Sequence, residues 1–268
     1  GIAQINLLID TIFASLLITG SPTWLYVSDR LIQFPMGIFA IAIGTVLLPG
    51  LSKSYAQKEI KAFTEQLENA FKLIFFLAIP SLIGLILFAS PLLATIFQRG
   101  AFLWSDVQQA SLSLIGFSLG LPFFMAMKVL VPAFFSRQNT KTPMLIAFLS
   151  LLINVCLNYL LAFYYGLGHL GLAIASSISA IVSVVILSLI LKRDGLISFS
   201  GILSAFSFKV LIASVALISF LSIFNQYFDF ELFTEVQRLL HLGAAVIGSL
   251  IIYFGMSFLL GVRTTDFK

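Results

Sequence analysis

The sequence predicts an all-α protein, a polytopic membrane helix bundle of about eight transmembrane helices. Of the 268 residues, 60% are hydrophobic and only 10% are charged, whereas soluble domains keep about a quarter of their residues charged. The apolar residues form continuous runs, most of them long enough to cross about 30 Å of hydrocarbon as a helix. A membrane β-barrel is excluded because its strands alternate in polarity over about ten residues.

Eight apolar runs follow one another along the chain, and each is expected to form one span. They cover roughly residues 1–18, 31–51, 70–97, 108–135, 143–165, 170–191, 203–224 and 239–261. Proline removes a helical hydrogen bond and bends the helix that contains it. The prolines in the second, third and fourth runs therefore predict kinked spans: Pro35, Pro80, Pro122 and Pro132.

Lysine and arginine are distributed unevenly between the two sets of alternate connections. Eleven of the 15 lie on one set: Lys53, Lys58, Lys61, Lys72, Arg137, Lys141, Lys192, Arg193, Lys209, Arg263 and Lys268. By the positive-inside rule this set is cytoplasmic, which also places residue 1 and the C-terminus in the cytoplasm. Topology and contact with anionic membrane lipids account for the net charge of +4, so no nucleic-acid partner is expected.

The sequence carries none of the usual signatures of catalysis. It has no phosphate-cradling glycine loop, nucleophile elbow or paired-carboxylate motif, which argues against an enzyme or an ATP-driven pump. His169 and His241 are interpreted as interfacial, and the single cysteine, Cys156, excludes an internal disulfide framework. The chain opens on Gly1 inside an apolar run, which suggests a piece of a longer protein.

Polar residues inside the apolar runs are the candidates for function. A charge at the centre of a span costs about 2.5–3.5 kcal/mol on insertion scales and usually faces a bundle interior or a wet cavity. At helical spacing these residues form four faces: Asn6 with Asp10; Asp29 and Gln33, flanked by Arg30; Ser150, Asn154 and Asn158; and Ser176, Ala180 and Ser183.

Structural interpretations of these faces stay open beside the functional one. Asp29 and Arg30 near a helix start would be explained by the helix dipole and by snorkelling of the arginine. The asparagine and serine faces would be explained by hydrogen bonds between helices, which contribute about 0.6 kcal/mol each in membranes.

Four segments resemble the second half of the MurJ (MviN-type) lipid II flippases. They are INLLIDTIFAS, SDRLIQFPMGIFAIAIGTVLLPGLS, FQRGAF and KVLVPAFFSRQNTKTP, in consistent order and spacing. That family belongs to the multidrug/oligosaccharidyl-lipid/polysaccharide exporter superfamily and has fourteen helices, two six-helix lobes and two more. The resemblance places this chain from the seventh helix to the fourteenth, so residues 1–195 would be the C-terminal lobe and residues 196–268 the two additional helices.

The resemblance also implies site residues. Arg30 would meet the pyrophosphate-linked head group of lipid II, Asp29 would hold Arg30 in place, and Gln33 stands where this family often has an acid. Some members bind a sodium ion, and by position that site would comprise Asp10, Asn154, Asn158 and Ser176. Asn158 replaces an acid found in some members, which leaves Asp10 as the only anion; no other cofactor is implied.

The resemblance therefore predicts a portion of a flippase in the bacterial inner membrane. Lipid II would move from the cytoplasmic to the periplasmic leaflet by alternating access, the missing N-terminal lobe would be a partner, and the last two helices would form a groove for the polyprenyl tail. Two alternatives stay open. One is another exporter of the superfamily that moves a lipid-linked glycan or a drug cation, and the other is a non-functional membrane fragment or scaffold.

Overall fold

The protein was described from a computed structural model that covers residues 2–198 and 205–267. Within these residues the helices are α1 (Ile2–Ser15), α2 (Ser21–Pro35), α3 (Ile41–Ala56), α4 (Ile60–Leu87), α5 (Ala89–Phe97), α6 (Trp104–Ser118), α7 (Leu121–Phe135), α8 (Lys141–Leu157), α9 (Gly168–Arg193), α10 (Ala205–Tyr227) and α11 (Glu235–Leu259). Met36–Ala40 and Asn158–Tyr164 are π-helical, and Thr264–Phe267 is a 3₁₀ turn.

These helices confirm the predicted all-α membrane bundle. Five are long and apolar enough to cross a membrane, and two bent pairs bring the number of such spans to seven among the described residues. The pairs are α2 with α3, bent by 44°, and α6 with α7, bent by 42°. The first predicted run forms α1, whose 14 residues reach only about 21 Å at 1.5 Å per residue.

The second span begins ten residues earlier than hydropathy predicts, at Ser21. Gly20 precedes it with a left-handed φ of 102°, and Pro22 lies in the first turn, where a missing N–H costs nothing. Asp29 and Arg30 therefore lie more than two turns inside α2, beyond the first turn where the helix dipole acts. The interpretation of this pair as helix-start charges is wrong.

Small residues bring the α6–α7 span close to α9. A methyl group on Gly116 would lie 2.9 Å from Cβ of Ala173, and one on Gly120 would lie 2.6 Å from Oγ of Ser177. Ser177 also donates a hydrogen bond of 2.7 Å to the carbonyl of Gly116. Such small-residue contacts hold membrane helices together by packing, and here they fix α9, which carries Ser176.

We expect Gly116→Ala to destabilise the protein although alanine is the better helix former. The added methyl group must displace Ala173, and overpacking costs about 1–3 kcal/mol, whereas the gain in helix propensity is about 1 kcal/mol. Gly255→Ala is the matched control, because a methyl group there meets nothing within 4 Å. Thermal unfolding in detergent should give a lower midpoint for Gly116→Ala only; equal midpoints would contradict the packing argument.

Pro80 inside α4 leaves the carbonyl of Phe76 without its helical donor, because proline has no N–H. The hydroxyl of Tyr253 on α11 donates a hydrogen bond of 2.6 Å to this carbonyl. Tyr253 is only 2% exposed, and its ring centroid lies 5.2 Å from that of Phe76. The last helix is thus tied to α4 at the position where proline removes a backbone hydrogen bond.

The predicted single span over residues 70–97 consists of two helices, and α10 bridges the break between them. α4 ends at Leu87 and α5 begins at Ala89. Pro91 cannot donate to the carbonyl of Leu87, and the side-chain amide of Asn225 donates to it at 3.0 Å. The α10–α11 hairpin therefore satisfies the carbonyls that both prolines of this segment release.

We expect Tyr253→Phe to lower stability by about 1–3 kcal/mol, because it leaves the buried Phe76 carbonyl unsatisfied while keeping the aromatic packing. Tyr227→Phe is the matched control, since Tyr227 is 78% exposed. The midpoints of thermal unfolding in detergent measure the difference. A Tyr253→Phe protein as stable as the control would show that the hydrogen bond contributes nothing.

Side-chain contacts group the connections at the two ends of the bundle. At one end Arg137, after α7, makes a 2.7 Å ion pair with Asp194, after α9, and its guanidinium lies 5.9 Å from the ring centroid of Tyr55 in α3. At the other end Arg238 of α11 donates to Gln98 at 2.7 Å. The first end carries the connections that the sequence analysis identified as basic.

Candidate functional site

The predicted cation-site residues of α1, α8 and α9 meet in one hydrogen-bonded cluster. The amide nitrogen of Asn158 donates to Oδ1 of Asp10 at 2.7 Å and to Oδ1 of Asn154 at 3.0 Å. The amide nitrogen of Asn154 in turn donates to Oγ of Ser176 at 3.2 Å. The bond between Asp10 and Asn158 joins residues 148 positions apart in sequence, and the hydrogen bonds form a continuous polar chain across three helices.

A change of helix type places Asn158 in this cluster. The α-helix α8 ends at Leu157, and the π-helical segment begins at Asn158. Gly171 of α9 allows the close approach, since a methyl group there would lie 2.7 Å from the backbone of Leu161 and Ala162. Asn158 is completely buried and Asn154 is 1% exposed, so both amides depend on partners within the protein.

Two buried oxygens of the cluster have no hydrogen-bond partner among the residues that the structure describes, Oδ1 of Asn158 and Oδ1 of Asn6. Asn6, one turn before Asp10, donates from its amide nitrogen to Oδ2 of Asp10 at 3.4 Å. A carboxylate with unpaired amide oxygens around it is the donor set that hard cations prefer. The residues present therefore fit a small cation, although groups of three or more His, Cys, Asp or Glu residues are absent among the residues described.

The second cluster lies on the exposed face of α2. Gln33 donates from its amide nitrogen to Oδ2 of Asp29, and its carbonyl oxygen accepts from Nη1 of Arg30 at 3.5 Å. The ion pairs within 4.0 Å in the described part of the chain involve other residues, Lys61 with Glu65 and Arg137 with Asp194. Asp29 and Arg30 therefore make no ion pair within 4.0 Å, and Gln33 bonds to both side chains.

Arg30 makes no ion pair within 4.0 Å in the described part of the chain. Its side chain is exposed, and its guanidinium carbon lies 4.8 Å from the ring centroid of Tyr26. Since α1 packs against both α2 and α8, the two clusters belong to neighbouring helices. The structure thus groups the predicted residues into two clusters, one suited to bind a cation and one suited to bind an anion. Asn6 belongs to the first cluster and Tyr26 to the second.

A third polar group, which the sequence analysis missed, links α2 to α6 and α9. His169 is 4% exposed rather than interfacial, and it makes hydrogen bonds of 2.7 Å with Ser113 and 3.0 Å with Gln109. The ring of Trp24 lies edge-on to His169 with centroids 4.9 Å apart, and its indole donates to Asp106 at 2.9 Å. The position of Trp24 in the sequence, six residues before Arg30, does not indicate these contacts with other helices.

Bent spans, a buried polar cluster that joins three helices and an exposed arginine deep in α2 define a polytopic membrane protein of the transporter class. Charges within a membrane mark the pathways of substrates and ions, and broken helices carry such sites in transporters. The described helices combine both features.

Comparisons with known proteins identify the family within this class. The family described as "Lipid II flippase MurJ" matches residues 1–237. A "Probable lipid II flippase MurJ" of Haemophilus influenzae is 38% identical over 272 residues, which covers 98% of this chain and 52% of that protein. The chain therefore belongs to the MurJ lipid II flippase family, and it spans about half the length of this relative.

Solved structures agree with this assignment. "Lipid II flippase MurJ, inward closed conformation" superposes with a TM-score of 0.78 at 27% identity, over 96% of this chain and 51% of that one. The eukaryotic MATE transporter AtDTX14 superposes with a TM-score of 0.61 at 19% identity, over 96% of this chain and 56% of that one. The second likeness shows a shared fold alone.

Proposed function

We propose that this chain forms the second half of a lipid II flippase, with residues 1–195 as its C-terminal lobe and residues 196–268 as two additional helices. The observation that carries the proposal is Arg30, an exposed cation without an ion pair within 4.0 Å among the described residues, deep in the α2 span of a chain that belongs to the MurJ family. Such a charge is tolerated when it faces a water-filled cavity. The face that carries Arg30 therefore lines the path of the head group.

The chemistry of Arg30 suits the pyrophosphate of lipid II. Guanidinium stays charged, and its planar fork donates two parallel hydrogen bonds to phosphate oxygens. In this proposal Asp29 and Gln33 orient the arginine. The chain then moves a substrate between leaflets and transforms none, so we assign it no enzymatic activity.

The first cluster, that of α1, α8 and α9, would hold a sodium ion, with Asp10 as the anion and Asn154, Asn158 and Ser176 as neutral partners. When bound, the ion supplies one positive charge whose movement down its gradient can drive transport. The membrane potential contributes about 2.3 kcal/mol per charge per 100 mV. Asp10 binds the cation in this scheme, and the two asparagines connect it to α8 and α9.

The remaining partners follow from topology. The basic end of the bundle would face the cytoplasm of a bacterial inner membrane and contact its anionic lipids, with the C-terminus on that side. The exposed polar faces of α1 and α2 would meet an N-terminal lobe like the one that completes the relatives. The two lobes would then enclose the cavity and alternate between inward-facing and outward-facing states.

Complementation tests this function. Cells depleted of their own lipid II flippase would express this chain, alone and together with the first lobe of the Haemophilus influenzae relative. We expect restored growth and lipid II exposed at the outer leaflet when both lobes are present, which would exclude the scaffold alternative. Failure in both cases, with normal membrane levels, would contradict the proposal. Restored export of organic cations without lipid II flipping would favour another exporter.

A further inference from the structure

We propose that Tyr26 is a positioning residue that holds the Arg30 guanidinium flat and ready to receive an anionic head group. This inference rests on the proposed function of Arg30 and assigns a role to a residue that the sequence motif does not include. Tyr26 lies one helical turn before Arg30 on the same exposed face of α2.

The contact between the two side chains is a cation–π interaction. The guanidinium carbon lies 4.8 Å from the centre of the Tyr26 ring, within the distance of about 6 Å at which the ring quadrupole attracts a cation. Tyr26 is itself 56% exposed, so its ring is available as a platform instead of being consumed by packing. An arginine on such a platform loses rotational freedom before the substrate arrives.

An aromatic ring restrains Arg30 and leaves its charge in place, whereas a carboxylate would neutralise that charge. A carboxylate partner would occupy the guanidinium fork and compete with phosphate for the same N–H donors. The guanidinium carbon lies over the ring, and this contact places no carboxylate on the N–H donors. Of the five N–H donors of a guanidinium, the described contacts use one, the 3.5 Å bond to Gln33.

Asp29 reaches this arrangement by a hydrogen bond through Gln33. Because the carboxylate accepts from the amide nitrogen of Gln33, the amide oxygen is turned toward Arg30. The glutamine thereby fixes one edge of the guanidinium while Tyr26 fixes its face. Face and edge together leave the opposite edge for phosphate oxygens.

The test measures binding of dansyl-labelled lipid II to the protein, expressed from its complete reading frame and reconstituted in nanodiscs. Exposed cation–π contacts correspond to about a two- to fivefold change in affinity, so Tyr26→Leu should weaken binding by that factor. Tyr26→Phe keeps the π face and should bind as wild type does. Tyr164→Leu is the control for losing an exposed tyrosine, since Tyr164 is 73% exposed.

A double-mutant cycle separates positioning from a general structural effect. In an Arg30→Ala background, Tyr26→Leu should cause no further loss, because a residue that acts through Arg30 has nothing left to position. Tyr26→Met serves as a second non-aromatic variant if the leucine protein is unstable. Wild-type affinity for the non-aromatic variants, or an equal loss in both backgrounds, overturns the role of Tyr26. Wild-type affinity for Arg30→Ala alone would instead overturn the proposed function of Arg30.

Discussion

Arg30→Ala is expected to reduce lipid II flipping by at least about 100-fold, because a bidentate contact to phosphate combines two charge-assisted hydrogen bonds of about 1.5–3 kcal/mol each. Arg30→Lys should recover only part of this loss, since an ammonium keeps the charge and loses the planar fork. The measurement is the rate at which lipid II becomes accessible at the outer leaflet of cells depleted of their own flippase.

Arg99→Ala is the matched control, because Arg99 is an exposed arginine between α5 and α6. Membrane levels of all variants must be equal by immunoblot. Normal flipping by Arg30→Ala would show that the charge on α2 has a structural role and that the substrate contact lies elsewhere. Full rescue by lysine would show that charge suffices and that the fork geometry does not matter.

Asp10→Asn is expected to abolish the sodium dependence of flipping, since it removes the anion of the α1 cluster with almost no change in shape. Asn158→Asp is the opposite change and should tighten sodium binding at least about tenfold, because a second carboxylate adds attraction for a cation at short range. Both effects are read from the sodium concentration that gives half-maximal flipping in proteoliposomes.

Asp106→Asn is the control for removing a carboxylate from the outer part of the bundle, where Asp106 contacts Trp24. Sodium dependence that survives in Asp10→Asn would contradict the cation site. Loss of flipping at every sodium concentration, together with a lower unfolding midpoint, would show that Asp10 only holds α1 to α8.

The helical architecture and much of both clusters were predictable from sequence for physical reasons. Continuous apolar runs leave only helices as membrane-spanning structure, and helical spacing put Asn154 and Asn158 on one face. Their contact with Asp10 followed from the family resemblance, because hydropathy does not reveal which helices are neighbours. The structure places the Asn158 amide 2.7 Å from the Asp10 carboxylate.

Other features depend on contacts that no local pattern encodes. The start of α2 at Ser21 was missed because serines, a threonine and the Asp29–Arg30 pair lower the hydropathy of its first turns. The burial of His169 depends on Trp24 and Gln109 from two other helices. The stacking of Tyr26 on Arg30 was in principle detectable, since an aromatic residue four positions before an arginine lies on the same helical face.

The hydrogen bonds from α10 and α11 to proline-released carbonyls have a consequence for recombination between relatives. Pro80 is matched to Tyr253, and Pro91 to Asn225, through the carbonyls of Phe76 and Leu87. A chimera that joins this lobe to a hairpin without those donors would leave both carbonyls without the groups that replace the missing N–H donors of the prolines. Each proline and its distant donor must therefore be exchanged together, and the last two helices can be replaced only together with the third span.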